Sequence, residues 1–219
     1  MENPTFSYKH IIWDWNGTLL DDKWLCIESI NSLLMARNLP LIDEDIYHRI
    51  FRFPVKEYYQ DAGFDFQVEP FEIPALEFIR LYDDKKKECR LQDGALRILE
   101  AFAREGYTQY LLSASETGVL EEMTSHFGIT HYFNKIKGLD NHYAHGKGDL
   151  GQELLAEINA PVDSIVMIGD TCHDKEVADL LGVSAILCSG GHFPEERLIN
   201  CGTTLISSLD ELTDMLPCT

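Results

Sequence analysis

Positive charge is scarce in this chain: 18 lysines and arginines stand against 37 aspartates and glutamates in 219 residues, a formal net charge of -19 at pH 7. Such a surface opposes broad contact with a polyphosphate backbone or an anionic membrane, so nucleic acid and membrane are not expected as partners. Long apolar runs are missing too. None approaches the roughly 20 residues that cross a bilayer, and the first, Ile11-Ile12-Trp13, stops at Asp14. The opening Met1-Glu2-Asn3-Pro4-Thr5 carries an acid in place of a basic region, so a secretory signal is not expected. The six cysteines (Cys26, Cys89, Cys172, Cys188, Cys201 and Cys218) are scattered and include no CxxC. Four of them adjoin apolar or helical patterns, where a reduced thiol packs as a small hydrophobe, and a reducing, cytoplasmic compartment is expected. His142 and His145 have no acid or cysteine at ligand spacing beside them, which argues for a solvated loop over zinc. What is present, 45% apolar and 11% aromatic residues in 25.0 kDa, is the composition of a globular protein with one domain and a large insertion, or two small domains. The charge favours a monomer or a small oligomer.

Residues His10 to Trp15 form a β-branched and aromatic run ending in the turn sequence Asp14-Trp15-Asn16-Gly17-Thr18, a strand feeding a loop. From Asp22 to about Asn38, Leu25, Cys26, Ile30, Leu33 and Leu34 recur at helical spacing, and Asn38-Leu39-Pro40 closes the pattern. Two more helical stretches follow, about Asp43 to Ala62, interrupted by Pro54, and about Phe71 to Cys89. Residues 21–90 therefore read as all helical, with Lys85-Lys86-Lys87 as a solvated face. Beyond Gln92-Asp93-Gly94 the pattern changes. Leu96, Leu99 and Phe102 keep helical spacing up to Gly106, and a β-type run follows over Tyr107 to Leu112. Helices over Glu116 to Phe127, Gly148 to Ile158 and Asp174 to Leu181 then alternate with strands near Phe133 to Ile136, Ser164 to Ile168 and Ser184 to Leu187. Such alternation predicts a doubly wound α/β fold: a parallel sheet covered on both faces, with ligand at the carboxyl ends of its strands.

Small polar residues stand at those ends: Asp14 and Asn16 after Ile11-Ile12-Trp13, Ser113 after Tyr110-Leu111-Leu112, and Asp170 after Ile165-Val166-Met167-Ile168-Gly169. Neighbouring parallel strands would bring them to one crevice, with Lys147 at a helix start nearby. Hard oxygen ligands of this kind suit Mg²⁺, and a lysine with a hydroxyl suits a phosphoryl group. Each residue also has a plain structural use. Asn16-Gly17 is a strong turn dipeptide, Ser113 with Glu116 matches a capping box, Asp170 and Asp174 complement a helix dipole, and a single lysine is ordinarily exposed.

The chain resembles the haloacid dehalogenase superfamily of Mg²⁺-dependent phosphatases and phosphotransferases, in its phosphoglycolate phosphatase-like branch, over nearly its full length. The family's first motif, Asp-x-Asp-Gly-Thr-Leu after an apolar strand, matches Asp14-Trp15-Asn16-Gly17-Thr18-Leu19; its second is Ser113, its third Lys147, and its fourth, Gly-Asp-x-x-x-Asp, is Gly169-Asp170-Thr171-Cys172-His173-Asp174. The resemblance implies a Rossmann-like core from residues 1–20 and 91–219 with an inserted helical cap over 21–90. It also implies a small phosphorylated metabolite as substrate. Asp14 would attack phosphorus and become an aspartyl phosphate. Mg²⁺ would be held by Asp14, the Asn16 backbone carbonyl and Asp170, with Asp174 holding metal waters or orienting Lys147, and Ser113 would donate to a phosphoryl oxygen. Within the cap, Arg52 and Lys56 beside Phe53 and Pro54 are candidates for an anionic substrate, and Gly190-Gly191-His192 resembles a phosphate-side loop as much as a plain turn.

One position departs from the pattern. Phosphatases of the family carry a second aspartate two residues after the nucleophile, which protonates the leaving oxygen and later activates water; here it is Asn16. An amide has no proton to give near neutral pH, so an effect of typically about 10²- to 10⁴-fold is missing unless another group supplies it. Three outcomes stay open: a slow phosphatase, an enzyme restricted to good leaving groups such as acyl or aryl phosphates, or one with a substitute base among His145, His173 and His192. A phosphotransferase and a non-catalytic sensor of a phosphate ligand or acyl phosphate are the alternatives.

Overall fold

The computed structural model describes residues 8–139 and 146–216. In chain order the elements are β1 (His10–Trp13), β2 (Leu20–Asp21), α1 (Lys23–Ala36), α2 (Glu44–Ile50), α3 (Val55–Asp61), α4 (Glu72–Lys85), β3 (Arg90–Leu91), α5 (Ala95–Arg104), β4 (Thr108–Glu116), α6 (Thr117–His126), β5 (Phe133–Leu139), α7 (Lys147–Ile158), β6 (Ile165–Gly169), α8 (Cys172–Leu181), β7 (Ser184–Cys188), α9 (Glu195–Ile199), β8 (Thr204–Ile206) and α10 (Leu212–Met215). The chain forms two compact units, one over Asp21–Arg90 and one from the residues on either side. The short strands β2 and β3, where the chain passes between the units, pair with each other.

The larger unit is built on a six-stranded sheet in the order β5-β4-β1-β6-β7-β8, with every pairing parallel. Its central strands are apolar on both faces and buried on both. Ile12, Tyr110 and Met167 are register neighbours and pack with Leu150 and Leu154 of α7 and Val177, Ala178 and Leu181 of α8. On the other face, Trp13 stacks on Phe102 of α5, and its indole N–H donates to Gln109 Oε1 at 2.9 Å. After β1 the chain builds outward through β4 and β5 on one side, then returns beside β1 and builds outward through β6, β7 and β8 on the other. In doubly wound sheets ligand sits where the winding reverses, here beyond the carboxyl ends of β1, β4 and β6.

The unit over Asp21–Arg90 is helical apart from its two terminal strand residues. Leu25, Ile30, Leu33 and Leu34 of α1 are buried, and the core they help form holds Tyr47 of α2, Tyr58 and Tyr59 of α3 and Phe64. Asp43 caps α2 by accepting the Ile46 N–H at 2.8 Å. The chain then breaks at Phe51–Pro54 before α3, because proline cannot continue a helix. Arg37, just past α1, bonds Glu69 at 2.6 Å and Glu77 at 2.8 Å.

Two sequence expectations need correction. Ser113 and Glu116 do not form a capping box: β4 continues through both, and Glu116 precedes α6 without a side-chain cap. The strand pairs with β5 on both sides of Ser113, at Leu112 and again at Glu116, and this outweighs the local signal. The cysteines are not all reduced. Cys172 and Cys201 are joined by a disulfide with their Cα atoms 5.6 Å apart, because the turn into α8 and the end of α9 meet in space although 29 residues separate them in sequence. Cys26, Cys89 and Cys188 are outside any disulfide; Cys218, like His142 and His145, lies outside the described residues. Among the described residues no helix is long and apolar enough to cross a membrane.

Candidate active site

Strand register and the starts of α7 and α8 bring the site together. Trp13 lies opposite Leu111 on one side and Ile168 on the other, so Asp14 stands level with Leu112 and Gly169, one step before Ser113 and Asp170. The chain at Asp14 is anchored by its N–H, which donates to Ile168 O at 2.9 Å. It then turns through Asn16–Leu20, where the Gly17 N–H donates to Leu20 O at 2.9 Å. Gly17 has φ +76°, and a Cβ there would collide with the Asp170 carboxylate and the His192 ring, so the turn accepts only glycine. Asn16-Gly17 is therefore a turn, as its sequence predicts, and the structure sets it beside Asp170 and His192.

Four ionisable side chains are buried together here: Asp14, Lys147, Asp170 and Asp174. Lys147, only 5% exposed, donates to Asp14 Oδ1 and to Asp174 Oδ1 at 2.6 Å. Asp174 is held from its other side. Its Oδ2 accepts the Asp170 and Thr171 N–H groups at 3.2 and 3.0 Å and the Thr171 hydroxyl at 2.7 Å, and Thr171 returns a capping bond to α8. The Thr18 hydroxyl sits 3.2 Å from Asp14 Oδ2 and 3.1 Å from Asp170 Oδ1. The second oxygen of Asp170 accepts the His192 N–H at 2.6 Å.

The charges follow from these partners. Burial pushes the Asp14 carboxyl up to about 6 against the pull of Lys147. Burial also raises Asp170, to about 8, with Asp14 and Asp174 adding to the rise and His192 opposing it. For Asp174 the cost of burial is outweighed by Lys147 and Thr171, and its carboxyl stays below the usual range. Lys147 is likewise penalised by burial, yet its two carboxylates raise it on balance. Asp14, Asp170 and Asp174 place one carboxylate oxygen each within 4.8 Å of one another. Three hard anionic donors, two of them costly to ionise where they lie, fit a divalent cation. Asp14 and Asp170 share the Thr18 hydroxyl between them, whereas Asp174 is tied to Lys147 and to the Thr171 turn.

Ser113 and Asn16 meet differently. The Ser113 hydroxyl lies 3.4 Å from Asn16 Oδ1 and accepts the Ser115 N–H at 3.1 Å, while the Ser115 hydroxyl donates to Asn16 Oδ1 at 2.8 Å. Sequence reading missed Ser115, Thr18 and Thr171. Ser115 was findable, because residues two apart in a strand share a face; Thr18 lay inside a recognised motif without a role. Of the candidate bases, His192 is buried beside Asp170, and the His173 ring lies 3.2 Å from Glu176 one turn on. Arg52 pairs with Glu57 at 3.3 Å and Asp61 at 2.7 Å, and the Lys56 ammonium lies over the rings of Phe66 and Phe71.

A parallel sheet with a buried carboxylate cluster and a lysine at its carboxyl edge defines a hydrolase of the haloacid dehalogenase-like class. The chain belongs to that family, whose pattern matches residues 11–188. It is similar to a 5'-nucleotidase of Pseudomonas aeruginosa, with 29% identity over 209 residues covering 90% of each chain. It is also similar to tyrosine-protein kinase PtkA of Mycobacterium tuberculosis, with 23% identity over 98% of this chain and 74% of that protein. Among solved structures, a haloacid dehalogenase-like hydrolase from Streptococcus pneumoniae shares the fold with a TM-score of 0.84 at 20% identity, covering 95% of this chain and 98% of that one. Family and relatives together support phosphatase function.

Proposed function

We propose that the protein is a Mg²⁺-dependent phosphatase that acts on a small phosphorylated metabolite through an aspartyl phosphate on Asp14. The observation that carries this reading is the buried cluster itself. Asp14 ends the central strand with one oxygen on Lys147 and the other on Thr18, beside Asp170. Two anions, a carboxylate and a phosphate, have to meet there, and Lys147 offsets their repulsion. Asp14 Oδ attacks phosphorus, the Ser113 hydroxyl donates to a phosphoryl oxygen, and Asp174 holds Lys147 in place. Asp14, Asp170 and the Asn16 carbonyl would hold the cation, which when bound adds positive charge against the phosphoryl oxygens. The helical unit over 21–90 takes the role of the family's cap, with Arg52 and Lys56 as its cations for an anionic substrate. The cytoplasm is the proposed location.

A second reading is favoured by Asn16. With no carboxylate at that position to activate water, the aspartyl phosphate persists, and a hydroxyl acceptor can take the phosphoryl group. A relative named as a tyrosine kinase supports this phosphotransferase reading. The test is phosphate release from aryl, acyl and sugar phosphates, with and without Mg²⁺, for the wild type and Asp14→Asn. Release that needs both Mg²⁺ and Asp14 is expected. Release that survives Asp14→Asn refutes the aspartyl phosphate, and Asp14-dependent labelling of the protein without release selects the transferase.

A further inference from the structure

We propose that Ser115 is a positioning residue that fixes which edge of the Asn16 amide faces the reacting phosphate, and that this pair restricts the enzyme to phosphate donors whose leaving group is stable as an anion: acyl and aryl phosphates. The inference rests on Asp14 as the attacking group.

It starts from an irregularity in the sheet. Pairing of β4 with β5 is interrupted between Leu112, which lies opposite Lys137, and Glu116, which lies opposite Leu139. Four steps along β4 span only two along β5, so the intervening Ser113-Ala114-Ser115 bulges out of the ladder. Bulges re-aim side chains next to active sites, and this one brings two serine hydroxyls to one atom, Asn16 Oδ1, with Ser115 at 2.8 Å and Ser113 at 3.4 Å. The bulge is seated on Gly138 of β5, where a Cβ would run into the Ser115 carbonyl. Gly138 is therefore the room that the displaced backbone needs.

Hydrogen bonding then decides the chemistry. A planar amide whose oxygen accepts from Ser115 carries its NH₂ on the other edge, so Asn16 presents a donor that cannot lose its proton. When Asp14 Oδ attacks, the new bond is P–O(Asp14), the P–O bond to the leaving group breaks, and its electron pair stays on the departing oxygen. The Asn16 N–H steadies that negative charge by a hydrogen bond; the departing anion takes its proton from water once released. Carboxylates and aryloxides tolerate this departure, and alkoxides are too basic for it.

The test is kcat/KM with Mg²⁺ for a series of aryl phosphates graded in leaving-group acidity, with acetyl phosphate and an alkyl phosphate, on the wild type, Ser115→Ala, Ser115→Thr and Gly138→Ala. The wild type should favour acetyl phosphate and the most acidic phenols and lose rate steeply as the leaving group becomes more basic. Ser115→Ala should lose about tenfold on the most basic phenol, the worth of one hydrogen bond, and little on the most acidic. Ser115→Thr should restore the slope, and Gly138→Ala should resemble Ser115→Ala. A readout independent of turnover is the Asn16 side-chain amide signal in ¹⁵N-labelled protein, which should shift in Ser115→Ala and return in Ser115→Thr. A uniform loss across the series in Ser115→Ala, an unmoved amide signal, or a wild type equally fast on alkyl and aryl phosphates overturns the inference while leaving Asp14 as nucleophile. Release that persists in Asp14→Asn, or no release from any donor, overturns the functional reading and this inference together.

Discussion

The two units bury different mixtures of side chain. Over Asp21–Arg90 the interior is aromatic: Tyr47 stacks on Phe51, both meet Tyr58 edge-on, and Tyr59 packs against Phe64 and Phe71. This interior leaves the Tyr58 hydroxyl and the Ser29 hydroxyl buried without a hydrogen-bond partner. The sheet unit buries aliphatic side chains along the strands and then, at one end only, three carboxylates and a lysine, each of them bonded. A neutral hydroxyl left unpaired costs about 1–3 kcal/mol and a fold can absorb it; an unpaired buried ion costs several times more. Charge is buried over Asp21–Arg90 as well, where Asp22 accepts from Tyr82 at 2.8 Å and Lys86 pairs with Asp83 at 3.1 Å, but only the sheet unit gathers three carboxylates and a lysine against one another, and that is where chemistry is proposed.

The contrast can be tested hardest at its ion cluster. Lys147→Met should lower phosphate release by about 10²- to 10³-fold and stability by about 3 kcal/mol in urea unfolding at neutral pH without divalent cation, because Asp14 and Asp174 lose their counter-charge. Retention of wild-type stability would mean that the acids do not depend on it. Next in size, Asn16→Asp supplies the missing proton donor, and turnover of alkyl phosphates should rise by about 10²-fold; unchanged turnover would remove the amide as the cause of leaving-group restriction.

A smaller effect follows from the raised acids. A carboxyl whose folded pKa lies above its unfolded value adds stability while protonated, and that contribution fades as pH rises through the folded value. With Asp14 raised to about 6 and Asp170 to about 8 from an ordinary value of 3.8, the cation-free protein loses this contribution as pH rises from about 4, up to about 6 for Asp14 and about 8 for Asp170. Mg²⁺ competes with the same protons, so the rise in Tm on adding it should be larger at pH 8 than at pH 6; equal rises would place the ion elsewhere. Smallest of all, Tyr58→Phe deletes the unpartnered hydroxyl and should leave stability unchanged or raise it by up to about 1 kcal/mol. A loss on thermal unfolding would reveal a partner for that hydroxyl.

Much of the sheet was legible because its central strands are unbroken apolar runs rich in β-branched residues, Ile11-Ile12-Trp13 and Ile165-Val166-Met167-Ile168. The nearness of the ends of β1 and β6, and so of Asp14 and Asp170, was legible for the same reason, since parallel register puts strand ends side by side, while Lys147 reaches them from the start of α7. Features decided by partners distant in sequence were not. The three residues of β8 are too short to show a period, the β4 bulge exists only against Gly138, and the Cys172–Cys201 bond joins segments that only the fold brings together. Ser113 misled as a cap because the strand beside it continued.

The turn at Asn16-Gly17 also sets a clock on the protein. In an open chain an asparagine followed by glycine is short-lived: the next backbone nitrogen closes on the side-chain carbon, ammonia departs, and water opens the ring to leave an acid. In the folded turn the Gly17 N–H is given to Leu20 O and Asn16 Oδ1 is held by Ser115, which keeps that nitrogen from closing. Time spent unfolded is then written into the molecule as ammonia lost at this one dipeptide, readable by peptide mass, and an aged or misfolded preparation turns into a mixture of asparagine, aspartate and isoaspartate at position 16, the last with its backbone rerouted through the side chain.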